Sequence, residues 1–343
     1  MRLSTKLGYN DGFVRAAEHV VKLEEAGVDM VWVSEAYSFD AATRLGYLAA
    51  RTRRMELGSG IFPIYSRTPA LLAQTAAGLD ELSDGRALLG LGASGPQVIE
   101  GWHGVPYDHP VPRTREIIEI CRIAWRREEL VYQGRHYTLP LPADQGTGLA
   151  KPIKMLSHPP RSRIPIYLAS LGERSVELTA EMAEGWLPIF FVPERAHEVW
   201  GAALKRGLAK RSEAMGPLEV VAGGALAIGE GLEGLRDRAR PHLALYAGGM
   251  GARGKNFYNE LLSRYGYERQ MTQIQDLYLG GRKDEAAALV PAELLESLSL
   301  IGPASYVKER IAAFKAAGVT VLDVQPIGPD PLGDVAQVRE WIA

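Results

Sequence analysis

A single cysteine, Cys121, occurs among the 343 residues of the sequence. A lone thiol excludes an internal disulfide framework and indicates a reducing compartment. Excess positive charge is also missing, because 39 lysine and arginine residues face 41 aspartate and glutamate residues and give a formal net charge of −2. This balance argues against a nucleic-acid-binding protein, which needs basic side chains to neutralise phosphates.

Long hydrophobic runs are missing as well. The longest stretch without a charged side chain, 87–99, is interrupted by glycines and is shorter than the roughly 18 apolar residues that indicate a membrane helix. Residues 1–12 lack the apolar core of a signal peptide. The seven histidines show no spacing typical of metal ligands. We therefore expect a cytoplasmic protein with no membrane contact and no metal site.

What is present is the composition of an ordinary globular protein, with 46% hydrophobic and 23% charged residues. The length allows one large domain or two smaller ones. No linker-like change in composition divides the chain, so we expect one domain over residues 1–343. Two segments break its regular pattern, and we interpret them as an insertion at about 128–163 and a helical insertion at about 232–300.

Short β-like runs alternate with amphipathic helical runs along the chain. Eight strand–helix units follow, with strands at 3–8, 30–34, 56–60, 87–92, 166–169, 185–191, 219–228 and 319–325. A short internal repeat supports this count, because 23–33 and 314–324 share a helix end, Ala-Gly-Val and then a buried strand. Such joints at both ends of the chain favour an α/β fold closed as a (β/α)8 TIM barrel. In that fold the loops after the strands form the active site.

The segment Gly-Leu-Gly-Ala-Ser-Gly at 90–95 matches the glycine pattern of dinucleotide-binding proteins. A true fingerprint also needs a following helix and an acidic residue about 20 positions later at a strand end. Pro96 and Gly101 disturb such a helix, and no such strand follows. We interpret the segment as a tight turn on which a flat ligand lies, or as a simple strand-end turn.

A second glycine-rich segment, 249–256, nearly matches a nucleotide-binding P-loop, but Asn256 stands where the magnesium-binding hydroxyl belongs. A mobile lid over the barrel mouth or a solvated loop fits this segment better. Basic residues are concentrated at 151–163, which contains no acidic residue. This stretch is either a solvated part of the insertion or a binding surface for an anionic cofactor tail.

Ser170 lies in Leu-Ala-Ser-Leu-Gly, which lacks the first glycine of a hydrolase nucleophile elbow. The consecutive amides of Ser170, Leu171 and Gly172 instead precede a predicted helix. A loop that leads into a helix start binds phosphate well, through free N–H groups and the helix dipole. We therefore predict a phosphate site here, with simple helix capping as the alternative. Glu35, which follows a buried strand, is either an active-site carboxylate or a structural ion-pair partner.

Four segments together resemble the luciferase-like monooxygenase superfamily, and in particular its branch of coenzyme F420-dependent oxidoreductases. The resemblance spans residues 3–328 and rests on VWVSEAYSFDA at 31–41, LGSGIFPIYSRTP at 57–69, LGLGASGPQVIEGWHG at 89–104 and IPIYLASLGERSVELTAEMAEGW at 164–186. It implies a (β/α)8 barrel with insertions, a homodimer, and a deazaflavin or flavin bound at the carboxyl-terminal mouth.

The resemblance also implies roles for individual residues. Gly60 and Ile61 are expected to form a non-proline cis peptide and a bulge behind the cofactor ring. The edge of the ring is expected at Ser94, Gly95 and Gln97, and the phosphate at Ser170, Leu171 and Gly172. Tyr9 and Glu35 complete the expected cofactor-binding set. The candidates for proton transfer are Glu35, Tyr37 and Tyr9.

One departure from the family concerns the loop after the second strand. F420-dependent enzymes of the glucose-6-phosphate dehydrogenase type carry Asp-His there, whereas this chain has Glu35-Ala36. The departure argues against that sugar-phosphate substrate and leaves the acid or base unassigned. The implied activity is hydride transfer between C5 of the deazaflavin and a small-molecule substrate.

Three other readings remain open at this point. The first is an FMN-dependent monooxygenase of the same superfamily, and the second is a non-catalytic F420 or flavin carrier. The third is an unrelated barrel with a phosphorylated substrate at residues 170–172. Basic residues in a groove for the cofactor tail would favour F420, whose tail carries extra carboxylates. The candidates are Lys151, Lys154, Arg161 and Arg163.

Overall fold

The computed structural model describes residues 1–9 and 12–343. Twelve strands occur in these residues: β1 (Arg2–Leu7), β2 (Met30–Val33), β3 (Glu56–Ser59), β4 (Phe62–Pro63), β5 (Ala87–Gly92), β6 (Tyr132–Gln133), β7 (Thr138–Leu139), β8 (Ile166–Ala169), β9 (Gly185–Trp186), β10 (Glu219–Ile228), β11 (Ser299–Gly302) and β12 (Val321–Pro326). Eight of them pair in parallel in the order β10-β12-β1-β2-β3-β5-β8-β9, and β9 pairs with β10 to close the ring. The predicted (β/α)8 barrel is confirmed.

Helices follow the strands and cover the outside of the barrel. They are α1 (Phe13–Glu25), α2 (Ala41–Arg51), α3 (Pro69–Leu82), α4 (Pro96–Gly101), α5 (Pro110–Trp125), α6 (Glu173–Met182), α7 (Pro193–Leu208), α8 (Arg240–Ala244), α9 (Phe257–Leu262), α10 (Glu268–Leu279), α11 (Lys283–Ala288), α12 (Ala292–Ser297), α13 (Ala304–Ala316) and α14 (Pro331–Ile342). Local sequence sets several of their starts. The Asp40 and Thr68 side chains accept hydrogen bonds from backbone N–H groups in the first turns of α2 and α3.

The inside of the barrel is filled by apolar side chains from alternate strand positions, namely Met30, Trp32, Leu88, Tyr167, Val221 and Val321. A polar cluster closes the amino-terminal end beneath them. Arg2 Nη1 donates to Glu56 Oε2 at 2.6 Å, Arg2 also pairs with Glu219, and the Tyr167 hydroxyl donates to Glu219. The barrel is therefore packed and closed from below, and open space is left only towards the carboxyl ends of its strands.

The insertion at about 128–163 contains the short antiparallel pair β6 and β7. Its turn is held by the Glu116 carboxylate, which accepts N–H groups from Arg135, His136 and Tyr137. Glu116 belongs to α5, so this buried carboxylate fastens the hairpin along the outside of the barrel.

Two strand predictions need correction. The strand expected at 185–191 ends at Trp186, because Pro188 has no N–H group to continue a ladder. The helical insertion at 232–300 ends within a strand that the sequence analysis missed, β11, which pairs with the second half of β10. This strand has only four residues, and Leu298 alone separates it from α12, so no glycine or proline marks the end of the helical pattern. Within the described residues, no helix is both long and apolar enough to cross a membrane.

Candidate functional site

A cavity of about 1040 Å³ opens at the carboxyl ends of the barrel strands. The structure brings together ten of the eleven residues that sequence reasoning placed in the site, since the cavity wall includes Tyr9, Tyr37, Gly60, Ile61, Ser94, Gly95, Gln97, Ser170, Leu171 and Gly172. The remaining one, Glu35, does not line the cavity. The roles of these residues are proposals, which their shared position supports.

One wall of the cavity is formed where β3 ends and β5 passes beside it. The peptide bond between Gly60 and Ile61 is cis, and the Ile61 side chain lies against the backbone of β5. A Cβ atom at Gly92 would come within 2.2 Å of Ile61 Cδ1, so glycine at this position lets the isoleucine pack there. The result is a flat apolar surface that suits a planar ring.

The glycines at 90–95 now have a structural explanation. Gly90 exchanges hydrogen bonds with the Ser59 hydroxyl at 2.9 and 2.8 Å, and a Cβ atom there would lie 1.7 Å from the Ser59 carbonyl oxygen. Close packing of β3 on β5 thus requires Gly90. Ser94 has a positive φ of 58° and turns the chain towards α4. Ser94, Gly95 and Gln97 line the cavity. This position is compatible with the reading of the turn as a surface for a flat ligand, which stays a prediction.

The phosphate loop predicted at 170–172 is held from behind by two tryptophans. Trp186 Nε1 donates to the Ser170 carbonyl oxygen at 2.9 Å, and Trp200 Nε1 donates to the Leu171 carbonyl oxygen at 2.9 Å. In a trans peptide the C=O and the next N–H point in opposite directions. The N–H groups of Leu171 and Gly172 therefore point away from the indoles, and both residues line the cavity.

The same loop leads into α6, a helix of ten residues whose first turn lacks a side-chain cap at Gly172. The first N–H groups of a helix have no intrahelical acceptor, and the helix dipole makes them favourable for an anion. Arg174 in this turn also lines the cavity. Sequence reasoning missed Arg174, although its place in the first turn after the predicted loop could have indicated it.

The Glu35 carboxylate forms a buried ion pair with Arg67, outside the cavity wall. Arg67 Nη1 donates to Oε1 at 2.6 Å and Nη2 donates to Oε2 at 2.9 Å, while the Ala41 N–H donates to Oε2 at 2.9 Å. The Arg67 guanidinium also lies over the Phe62 ring at 4.2 Å. Of the two readings of Glu35, the geometry supports the structural ion pair, which fastens the loop after β2 to β4.

The proposed tail-binding residues lie at the wrong end of the barrel. Arg161 Nε donates to Asp80 Oδ2 at 3.1 Å and its Nη2 to the carbonyl of Ala87, the first residue of β5. Arg163 Nε donates to Glu184 at 2.8 Å, and that carboxylate also accepts the N–H of Ile166 at the start of β8. Both arginines thus surround the amino-terminal ends of strands, opposite the cavity.

Lys151 and Lys154 belong to the same exposed segment. The Ile153 carbonyl between them accepts the N–H of Leu130 at 3.0 Å, just beyond the end of α5. Neither lysine lines the cavity. Of the two readings of the basic stretch, the structure therefore favours a solvated part of the insertion.

The glycine-rich segment at 248–254 reaches the cavity, where Gly249 and Met250 form part of the wall. Asn256, which replaced the P-loop hydroxyl, has a structural role. Its Oδ1 caps α9 by accepting the Tyr258 N–H at 3.0 Å, and its Nδ2 donates to the Tyr246 carbonyl at 2.8 Å. This excludes the nucleotide-binding interpretation, while a lid movement stays a prediction.

The cavity is also lined by charged and aromatic side chains that sequence reasoning missed: Lys6, Trp32, Tyr246, Tyr258 and Asp323. Burial raises the pKa of Tyr258 to about 12, and burial also raises the pKa of Tyr9, so these phenols stay protonated at neutral pH. Lys6 and Asp323 were detectable in principle, because each is a charged residue within a predicted strand.

Known proteins share both this sequence and this architecture. A coenzyme F420-dependent oxidoreductase of Mycobacterium tuberculosis, so named provisionally, is 39% identical over 100% of this chain and 99% of its own length. The 5,10-methylenetetrahydromethanopterin reductase of Archaeoglobus fulgidus is 29% identical over 91% of this chain and 90% of its own.

Among solved structures, the F420-dependent tetrahydromethanopterin reductase of Methanopyrus kandleri superimposes with a TM-score of 0.81 at 22% identity, covering 98% of this chain and 96% of that one. An F420-dependent secondary alcohol dehydrogenase superimposes with a TM-score of 0.73 at 16% identity, covering 100% and 99%. These two likenesses concern the fold. The sequence profile of the luciferase-like monooxygenase family matches residues 1–321, and the chain belongs to this family.

Proposed function

We propose that the protein is an oxidoreductase that binds coenzyme F420 in the barrel mouth and transfers a hydride between its deazaflavin ring and a small organic substrate. The observation that carries this proposal is the joining of two surfaces in one cavity. The flat apolar surface of Ile61 against Gly92 continues to the uncapped amino-terminal turn of α6. A planar ring with a phosphate-bearing tail needs this combination.

The residues present fit the cofactor on chemical grounds. The N–H groups of Leu171 and Gly172, fixed by the two indoles, are suitable donors for a phosphate oxygen. A side chain added at Gly172 would meet nothing closer than Ser175 Oγ at 3.8 Å, so open space lies in front of this turn. Arg174 offers a guanidinium for the carboxylates of the tail, and takes over the role first expected of the basic insertion.

The cofactor supplies a carbon centre that gives or accepts a hydride, and the chain supplies orientation and electrostatics. Ile61 supports the face of the ring, while Ser94, Gly95 and Gln97 lie where its polar edge would be held. Apolar and aromatic side chains exclude water, which strengthens every electrostatic interaction inside the cavity. The provisional name of the full-length relative at 39% identity agrees with this assignment.

A fluorescence titration of the purified protein with F420, and in parallel with FMN, tests the proposal. We expect micromolar F420 binding and at least a tenfold loss in Gly172→Glu, because the new carboxylate repels the phosphate at the helix start. Gly234→Glu is the matched control, since Gly234 is exposed, has no atom within 4 Å of an added Cβ and lies outside the cavity wall.

Other outcomes would decide between the remaining readings. Binding of FMN without F420 would overturn the proposal and favour a flavin-dependent monooxygenase. Binding of F420 with no turnover of any organic substrate would favour a carrier. A homodimer is proposed from the family resemblance, and light scattering of the purified protein tests it.

A further inference from the structure

Two charged side chains, Lys6 and Asp323, line the deep end of the cavity on neighbouring strands. Ser4 of β1 is directly opposite Asp323 of β12, and Lys6 follows Ser4 by two residues on the same face of the strand. Lys6 in turn is level with Trp32 of β2, one of the side chains that fill the barrel. The pair therefore lies immediately above the apolar packing, below the loops of the mouth.

The two side chains differ in their surroundings, since Lys6 is exposed and Asp323 is partly buried. Asp323 accepts a hydrogen bond from the Ser4 hydroxyl at 2.8 Å, and both residues line the cavity. Burial raises the pKa of the Asp323 carboxyl, and the Lys6 charge partly opposes this shift. Among the residues that the structure describes, no carboxylate lies within 4 Å of the Lys6 ammonium. An ammonium without a paired carboxylate, beside a carboxyl with a perturbed pKa in a cavity, indicates a functional site.

Lys6 and Asp323 also belong to strands other than those that build the surface proposed for the cofactor ring. The surface proposed to support the cofactor ring is built by β3 and β5, whereas Lys6 and Asp323 come from β1 and β12. The space between them has aromatic walls from Trp32, Tyr246 and Tyr258. A molecule lying between the ring and the charged pair would place an uncharged body against aromatic rings and a polar atom against the lysine.

Building on the proposed function, we propose that Lys6 is a catalytic residue that protonates the oxygen of a ketone or aldehyde substrate, and that Asp323 is its positioning residue. A carbonyl oxygen gains negative charge as its carbon is reduced, and a nearby ammonium stabilises that charge and can donate a proton to it. The mostly apolar and aromatic walls fit an uncharged carbonyl compound better than a sugar phosphate.

In this step a reduced 5-deazaflavin would be the two-electron reductant. Its C5–H bond breaks as the hydride forms a C–H bond at the carbonyl carbon, so the deazaflavin is oxidised while the C=O π electrons move to oxygen. The Lys6 N–H bond breaks and an O–H bond forms, which yields an alcohol and an uncharged lysine. Solvent returns the proton to the lysine, and the reverse sequence oxidises the alcohol.

The groups that face Lys6 come from each neighbouring element. These are Asp323 on β12, Tyr9 after β1, and His242 and Tyr246 in the segment that begins with α8. The pKa of His242 is lowered by burial and then by the Lys6 charge, so this histidine is neutral near pH 7. The Lys6 charge also lowers the pKa of Asp323 against the larger effect of burial, so Lys6 and Asp323 interact electrostatically at this end of the cavity.

The experiment uses the full-length protein with reduced F420 and a panel of acetone, cyclohexanone and benzaldehyde, followed by cofactor oxidation. Lys6→Met, Lys6→Arg and Asp323→Asn are compared with Lys308→Met. Lys308 lies over the Trp341 ring at 4.8 Å, away from the cavity. We expect Lys6→Met to lower kcat at least about 100-fold, the usual scale for a lost general acid. Lys6→Arg keeps the charge and should retain carbonyl binding without restoring kcat.

A second readout does not depend on turnover. The dissociation constants of F420 and of cyclohexanone on the oxidised complex are measured for each variant by cofactor fluorescence. We expect F420 affinity to stay within twofold of wild type in all variants, which also reports correct folding, while Lys6→Met weakens cyclohexanone binding at least fivefold. In Asp323→Asn, kcat should fall while the dissociation constants of F420 and cyclohexanone stay within twofold of wild type, because Asp323 acts through Lys6 and not through either ligand.

The outcomes separate this inference from the proposed function. Absence of F420 binding in the wild type would overturn the proposed function and this inference with it. Normal F420 binding with no carbonyl bound or reduced would overturn only the inference. Unchanged carbonyl reduction in Lys6→Met, with loss only of cyclohexanecarboxylate binding, would show that Lys6 anchors a substrate carboxylate, and would likewise overturn it.

Discussion

Glu35 and Arg67 form a two-point ion pair beside the cavity, with N···O distances of 2.6 and 2.9 Å. The pair joins the loop after β2 to the segment after β4, close to the bulge at Ile61. Both side chains are nearly buried, with 7% and 12% of their surface exposed. Both oxygens of the Glu35 carboxylate, which the sequence analysis considered as a catalytic group, thus accept hydrogen bonds from structural partners.

The first prediction concerns this pair. Glu35→Gln should lower the free energy of unfolding by about 1.5–3 kcal/mol, the range for hydrogen bonds to charged groups, as measured by urea denaturation. Glu128→Gln is the control, because its ion pair with Arg126 is exposed and its loss should leave the free energy of unfolding nearly unchanged. Loss of activity at unchanged stability would restore Glu35 as a catalytic residue.

The second prediction concerns the indoles behind the phosphate loop. Trp200→Phe removes the N–H donor that holds the Leu171 carbonyl, and should weaken F420 binding by up to about tenfold, because one hydrogen bond contributes about 0.5–1.5 kcal/mol. Trp125→Phe is the control, since Trp125 Nε1 donates to the Ala73 carbonyl at 3.0 Å between α3 and α5. The control should leave affinity unchanged. An equal loss of affinity in both variants would contradict a specific role for Trp200.

The third prediction tests the wall beneath the proposed ring. Gly92→Ala places a Cβ atom 2.2 Å from Ile61 Cδ1, so the isoleucine has to move towards the cavity and F420 affinity should fall at least tenfold. Gly78→Ala is the control at an exposed position of α3 without neighbours. It should stabilise the protein by about 0.5–1 kcal/mol and leave affinity alone. Scanning calorimetry measures the change in stability, and fluorescence titration with F420 measures the change in affinity.

The fourth prediction is a pH dependence of stability. Burial raises the pKa of Asp323 above its unfolded value, so the folded state binds more protons than the unfolded state between the two pKa values. Stability therefore decreases as pH rises from about 4 through the folded pKa. Asp323→Asn should remove this slope and raise the urea midpoint at neutral pH. Asp144→Asn, at an exposed position, should keep the wild-type slope. A steeper slope in Asp323→Asn would be incompatible with a raised pKa.

The fifth prediction concerns the single thiol. Burial raises the pKa of Cys121 to about 12, and its Sγ contacts the Pro69 carbonyl inside the packed layer between α3 and α5. The native protein should not react with Ellman's reagent at pH 8, because the reactive thiolate is scarce and inaccessible. One thiol per chain should react after unfolding in guanidinium chloride. Rapid native reaction would show that this layer opens.

The barrel could be predicted because short β-like runs alternate with amphipathic helical runs, and strands such as β2 and β5 are continuous apolar runs. The helix start after 170–172 was predictable for a local reason, since Gly172 precedes an amphipathic run and α6 begins at Glu173. That the loop binds phosphate stays a prediction. Only the pairing pattern showed β11, because four residues separated from a helix by Leu298 alone carry no boundary signal.

Segments that lie far apart in the sequence contribute residues to the cavity, and the sequence alone does not show which of them come together. Lys6 and Asp323 are separated by most of the sequence and meet only because β1 pairs with β12. Arg161 and Arg163 were candidates for the tail groove because they are basic, yet which end of the barrel they occupy depends on the path of the insertion. The two readings of Glu35 stayed open in the sequence because its partner, Arg67, follows two strands later.

The polar cluster of Arg2, Glu56, Glu219 and Tyr167 closes the barrel opposite the mouth, so among the described residues, 1–9 and 12–343, the mouth is the route into the cavity. Asp323 is level with Ser4, below the strand ends that carry Ile61 and Ser170. Whatever occupies the Lys6 end has passed these strand ends and must leave by the same route. Two ligands that bind in the same cavity through the same opening cannot bind and dissociate independently. The ligand bound deeper in the cavity binds first and dissociates last.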